Sequence, residues 1–150
     1  MAQSLAGVYI HLVFSTKHRA PLILEDLRAE LHSYLATIIN QHGSTPVLVN
    51  SVEDHVHILL LLGRQCTISD LVLKVKVRTS AWMKRRDPRC AAFAWQGGYA
   101  AFSVGARESD AVRRYIANQR EHHRARSFKD ELLDLLKRGN VAFDETYLWD

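Results

Sequence analysis

The chain reads as an α+β domain, an antiparallel sheet with helices packed on it. Three observations predict this: strict apolar alternation near the N-terminus, stretches of helical apolar spacing between β-rich ones, and the resulting order βαββαβ with added C-terminal helices. Val8, Ile10, Leu12 and Phe14 alternate with Tyr9, His11 and Val13, the period of a strand with one face on a core. After Pro21, the residues Leu24, Leu27, Leu31, Leu35, Ile38 and Ile39 recur at helical spacing, and Gly43 stands where a left-handed residue ends a helix. Pro46 to Val52 and His55 to Leu62 flank the polar Glu53-Asp54 step and predict an antiparallel hairpin.

Thr67 with Asp70 forms a capping pair that opens a second helix, with Ile68, Leu71, Val72, Val75 and Trp82 inward. Asp87-Pro88 ends it, because the residue before proline is pushed out of helical geometry. Gly97-Gly98 precedes a fourth strand over Tyr99 to Val104. A third helix is predicted from about Ser109 to about His123. Ser127 with Asp130 opens a last one, carrying Leu132, Leu133, Leu135 and Leu136 and closed by Gly139.

Composition bounds the function. With 150 residues, 47% of them apolar, one domain over 1–150 can bury a continuous core. Twenty basic against 16 acidic residues leave a net charge of +4, which suits a polyanionic partner. Cys66 and Cys90 form no CxxC pair, which argues against a thiolate zinc site and a disulfide scaffold and predicts buried thiols in a reducing compartment. The N-terminal apolar run lacks a basic segment before it and a cleavage site after it, and Ile58 to Leu62 is far too short to span a bilayer. A soluble cytoplasmic protein without membrane contact is expected.

The chemistry concentrates in Glu53-Asp54-His55-Val56-His57-Ile58. In a strand, His55 and His57 point to one face ~7 Å apart, so both imidazoles can turn to one ion while Val56 enters the core. Neutral imidazole is a common ligand for divalent metals, and two leave room for water and a substrate oxygen. An HxH pair alone is most often two ordinary half-buried histidines, so further ligands must come from elsewhere. In the third helix, Tyr115 and Gln119 lie four residues apart on one face, ~6 Å along the axis. Gln119 offers a neutral oxygen as a third ligand, and Tyr115 offers a hydroxyl that needs a base or a nearby cation to act as a nucleophile at neutral pH.

These ordered landmarks resemble the HUH transposases with a single catalytic tyrosine, the small enzymes of IS200-like insertion sequences. The resemblance rests on Tyr9-Ile10-His11-Leu12-Val13-Phe14, Asp54-His55-Val56-His57, Trp95 to Val104, Tyr115 to Gln119 and Tyr147-Leu148-Trp149. It implies an RRM-like or ferredoxin-like antiparallel sheet with helices on one face. It also implies His55, His57 and Gln119 as ligands of Mg²⁺ or Mn²⁺, and Tyr115 as the nucleophile. The implied reaction cuts and rejoins single-stranded DNA through a 5′-phosphotyrosine bond, on hairpins at element ends, in a bacterial or archaeal cell near its nucleoid. A homodimer with Tyr115 acting in trans is also implied, with a monomer whose Tyr115 acts in cis as the alternative, and the apolar stretch His55 to Leu62 is a candidate for extending a sheet across its two-fold axis.

Basic residues at Lys74, Lys76, Arg78, Lys84, Arg85, Arg86 and Arg89, and at Arg113, Arg114, Arg120, Arg124 and Arg126, are candidates for phosphate contacts. Asp54 is a candidate to orient a ligand imidazole, and His122 and His123 are candidates for groups behind the ligands. Two rivals are a non-catalytic RRM-like module binding single-stranded nucleic acid and a metal-dependent phosphodiesterase using activated water. The first finds no aromatic RNP pattern and leaves the histidine pair and Tyr115 unexplained, and the second predicts turnover with no covalent intermediate and activity that survives loss of Tyr115.

Overall fold

The computed structural model describes residues 2–123, 126–146 and 148–149. Its strands are β1 (Tyr9–Ser15), β2 (Thr45–Ser51), β3 (His55–Leu61) and β4 (Ala100–Val104), and its α-helices are α1 (Arg28–Gln41), α2 (Ile68–Arg86), α3 (Ser109–Ala117), α4 (Gln119–His123) and α5 (Phe128–Arg138). The strands form one antiparallel sheet in the order β2-β3-β1-β4, the split arrangement expected of a ferredoxin-like core.

The alternation in β1 divides the sheet into two faces. Ile10, Leu12 and Phe14 join Val56, Ile58 and Leu60 of β3 beneath Leu31, Leu35, Ile38 and Ile39 of α1 and Leu71, Val72, Val75 and Met83 of α2. Each such side chain, once buried, contributes roughly 1.5–3 kcal/mol, so this layer holds the domain together. The other face carries His11, Val13, His55 and His57, and there Val13 packs against Phe128, Leu132 and Leu136 of α5. The C-terminal helices therefore cover the face opposite α1 and α2.

The local signals operate as read. Thr67 Oγ1 accepts the amide of Asp70 at 3.1 Å, and Ser127 Oγ accepts that of Asp130 at 3.2 Å. Asp87 is extended at φ −151°, as its following proline requires, and Gly43 ends α1 at φ 85°.

Four expectations change. β3 lies between β2 and β1, so it has no free edge and cannot extend the sheet into a partner; its unbroken apolar run reflects cover on both faces. The third helix breaks at Asn118, where its amide turns to the carbonyls of Arg114 and Tyr115 and a new short helix starts at Gln119. Cys90 is buried but Cys66 is half-exposed, in the loop before α2. Several of the basic residues serve the fold: Arg86 pairs with Glu30, Arg89 with Asp26 and Asp87, and Arg126 with Asp134. Lys76 donates to the carbonyls of Gln96 and Gly98. Arg124 and Tyr147 lie outside the described residues. No described helix is long and apolar enough to cross a membrane.

Candidate active site

His55 and His57 leave β3 on the face away from α1 and α2, and both are fully buried. α3 is brought over them by β2: Asn50 Nδ2 donates to the carbonyl of Ile116 at 2.7 Å, and Arg28 holds the Asn50 amide oxygen at 3.0 Å. With Ile116 itself buried, Tyr115 and Gln119 of the same chain face the histidines. Two residues outside the expected set complete the cluster. His55, His57, His123 and Glu131 each present a ligand atom, all within 4.8 Å of one another, and can hold a metal ion.

Glu131 is the hub. Its Oε1 lies 2.8 Å from His57 Nε2, 3.3 Å from His55 Nε2 and 3.2 Å from His123 Nε2. Its Oε2 accepts the Tyr115 hydroxyl at 2.5 Å. Gln119 Oε1 sits 3.3 Å from His55 Nε2 and 3.2 Å from His123 Nε2.

Proton accounting shows what this ring lacks. His55 Nδ1 faces Asp54 Oδ1 at 2.7 Å, and His123 Nδ1 faces the carbonyl of Arg126 at 2.9 Å. Both partners only accept, so each Nδ1 carries the hydrogen, and a neutral ring must turn its Nε2 lone pair toward the oxygens of Glu131 and Gln119. Lone pairs meeting lone pairs in a buried site are relieved either by extra protons or by a cation, and the donor set of imidazole nitrogens with carboxylate and amide oxygens fits a divalent ion. His57 differs: its Nδ1 contacts His11 Nε2 at 2.8 Å, so His11 sets its tautomer.

The charges follow. Burial lowers the His55 pKa, but Asp54 and Glu131 outweigh it and raise the ring to about 9. Burial keeps His57 below its ordinary value despite Glu131, and burial with the neighbouring His57 lowers His11 to about 3. Glu131 stays well below the carboxylate range, since hydrogen bonds from His123, His55 and His57 overcome its burial. Burial and the Glu131 contact push the Tyr115 phenol up. A cavity of about 460 Å³ opens beside His123, lined by Ile23, Glu25, Val52, Glu53 and Arg120.

All four residues singled out in the sequence, His55, His57, Tyr115 and Gln119, thus meet in one place, with Asp54 orienting His55 as anticipated. His122 lies against Tyr115 in a tilted arrangement with ring centroids 4.5 Å apart, while His123 stands in the cluster itself. Glu131 was missed, although a signal existed: it interrupts the apolar stripe Phe128, Leu132 and Leu136 of an amphipathic helix, where a carboxylate needs buried partners. Tyr99 is exposed at 42% and stands just before β4, whereas Phe102 packs beside α5.

Comparison with known proteins agrees with this architecture. A solved Deinococcus radiodurans R1 chain described as a transposase superimposes with a TM-score of 0.61 at 24% identity, over 79% of this chain and 98% of the other. A REP-associated tyrosine transposase, solved bound to a REP hairpin, superimposes with a TM-score of 0.60 at 12% identity, over 82% of this chain and 74% of that one. In sequence, the ISDra2 transposase TnpA of Deinococcus radiodurans is 25% identical over 116 residues, 74% of this chain and 83% of that protein. The family model described as "Transposase IS200 like" matches residues 4–119, from before β1 through Gln119, and with that span the chain belongs to the IS200-like transposase family.

Proposed function

We propose that this chain is a metal-dependent DNA strand transferase that cuts and rejoins single-stranded DNA through a covalent bond between Tyr115 and a 5′-phosphate. The observation that carries this reading is the single carboxylate of Glu131, which touches three imidazoles through one oxygen and the Tyr115 hydroxyl through the other. Nucleophile and ligand set are therefore one carboxyl group apart. A non-catalytic binding module has no use for that arrangement, and a water-activating phosphodiesterase has no use for the tyrosine.

Mg²⁺ or Mn²⁺, held by His55, His57 and Gln119, would supply a Lewis acid for the phosphate. Tyr115 Oη attacks phosphorus in line; the Oη–P bond forms, the P–O3′ bond breaks, the phenolic proton passes to solvent and the 3′ oxygen takes up a proton from solvent. A second 3′-hydroxyl reverses the exchange without a nucleotide cofactor. His57 is oriented by His11 and His55 by Asp54, so the rings are set before substrate arrives. The substrate is single-stranded DNA carrying hairpins, in keeping with the hairpin bound to the REP-associated relative.

A homodimer belongs to this reading, because exchanging two strands takes two tyrosines. Of the two sources for each tyrosine, cis and trans, this reading takes cis, supported by the bond from Asn50 that ties α3 to its own chain's sheet. The test incubates the protein with a single-stranded hairpin oligonucleotide and Mn²⁺ and looks for a denaturation-resistant protein–DNA adduct. Wild type is expected to form it and Tyr115→Phe to lack it; cleavage that persists in Tyr115→Phe would return the chain to the phosphodiesterase class. Purified heterodimers of Tyr115→Phe with His57→Ala are expected to stay inactive, whereas recovered cleavage would restore the trans assignment.

A further inference from the structure

The site as it stands is closed to DNA. His55, His57 and Gln119 are fully buried and Glu131 is 1% exposed, so no phosphodiester reaches Tyr115 and the histidines together while α5 stays in place. What occupies that position is an anion of similar shape: a carboxylate, like a phosphodiester, presents two oxygens on one central atom that share one negative charge. One oxygen faces the imidazoles and the other accepts from the nucleophile. A scissile phosphate needs the same two neighbours.

We propose that Glu131 is a built-in stand-in for the DNA phosphate, and that α5 must withdraw before a strand enters the site. This rests on the strand-transfer reading above. Two further observations support it. The family match ends at Gln119, so α5 lies outside the matched span. Its apolar contact is a small cluster of its own, in which Phe128, Leu132 and Leu136 rest on Val13 with the half-buried Ala100, Phe102, Leu148 and Trp149 around them and Phe128 stacks on His55, while the main core lies on the other face of the sheet. The closing helix can therefore leave without opening the domain. The alternative, in which Glu131 is a permanent metal ligand, makes opposite predictions.

Two full-length variants separate them. Glu131→Gln keeps the size of the side chain and removes its charge, and Leu136→Asp unseats α5 without touching the ligand ring. Fluorescence anisotropy with a labelled single-stranded oligothymidylate in Mn²⁺ is expected to show both binding about tenfold more tightly than wild type. Mn²⁺ titration of Glu131→Gln is expected to stay within about threefold of wild type. In wild type, hydrogen exchange over residues 128–138 is expected to rise when the oligothymidylate binds, with α1 unchanged. Oligothymidylate affinity that matches wild type in both variants, or undiminished α5 protection in the bound state, overturns the proposal. A loss of Mn²⁺ affinity of about tenfold or more in Glu131→Gln also overturns it, by making the carboxylate a ligand. Failure of the strand-transfer reading looks different: no Tyr115–DNA adduct forms with the hairpin substrate, whatever these binding measurements give.

Discussion

Raising the pH of the metal-free protein from 6.5 to 8 should destabilise it relative to a His55→Asn variant treated in the same way. His55 titrates at about 9 in the folded chain against an ordinary 6.5, because Asp54 and Glu131 together outweigh the burial that opposes its charge. A folded-state pKa above the unfolded one gives stabilisation that is complete below pH 6.5 and is lost as pH rises through about 9. Over the 1.5 pH units from 6.5 to 8 the slope approaches about 1.36 kcal/mol per unit, and is smaller near 6.5 where the unfolded ring is itself half protonated, so His55 gives up about 1.5 kcal/mol. Other groups offset part of this loss, and the comparison with His55→Asn isolates it. His11, lowered to about 3, His32, lowered to about 4, and His57, also lowered, each regain about 0.4 kcal/mol as the unfolded rings finish titrating above 6.5; Glu131, lowered as well, loses its share only in acid. Half-buried Lys76, lowered to about 8, begins to oppose His55 as the pH nears that value.

Urea unfolding in EDTA at the two pH values reads the effect. With a slope of about 1–3 kcal/mol per molar urea, the wild-type midpoint should fall by about 0.7 M relative to the change in His55→Asn. Saturating Mn²⁺ should reverse the trend, since a metal needs the unprotonated ring and its binding free energy adds to folding. The same proton competition moves the expected pH dependence of metal affinity: it should keep improving toward pH 9 rather than level off just above 6.5. A wild-type EDTA midpoint that changes between pH 6.5 and 8 just as that of His55→Asn does would refute the charge balance assigned to His55, Asp54 and Glu131.

Asp54→Asn weakens the acceptor at His55 Nδ1, and Mn²⁺ titration should show affinity about 10- to 100-fold lower. Asn50→Ala removes the tie between β2 and α3; adduct formation should slow while Mn²⁺ affinity holds within about threefold, since His55 and His57 stay on their strand. Ile58→Ala empties a fully buried position on the far face of β3, and thermal or urea unfolding should report a loss of about 2–5 kcal/mol with the adduct still formed by the folded fraction.

The alternation of β1, the capping pairs of α2 and α5, and the proline that ends α2 are local physics, and the sequence alone determined those elements. It also determined that His55 and His57 share a face, because a strand turns alternate side chains the same way. Gln119 and Tyr115 were legible as a pair for the same kind of reason, helical periodicity, even though the helix breaks between them at Asn118. What lay beyond the sequence was everything that depends on which elements touch. The internal position of β3 comes from the order β2-β3-β1-β4, and an apolar strand reads alike at an edge or at the centre. Glu131 and His11 entered the site only through tertiary packing: α5 crosses the open face 74 residues after His57, and β1 lies beside β3 across a separation of 46. The adjacent Asp54 raises His55, but Glu131 and burial complete the balance, so only the tertiary structure decided that His55 is held above its ordinary pKa and His57 below it, and that a carboxylate stands between the histidines and the tyrosine.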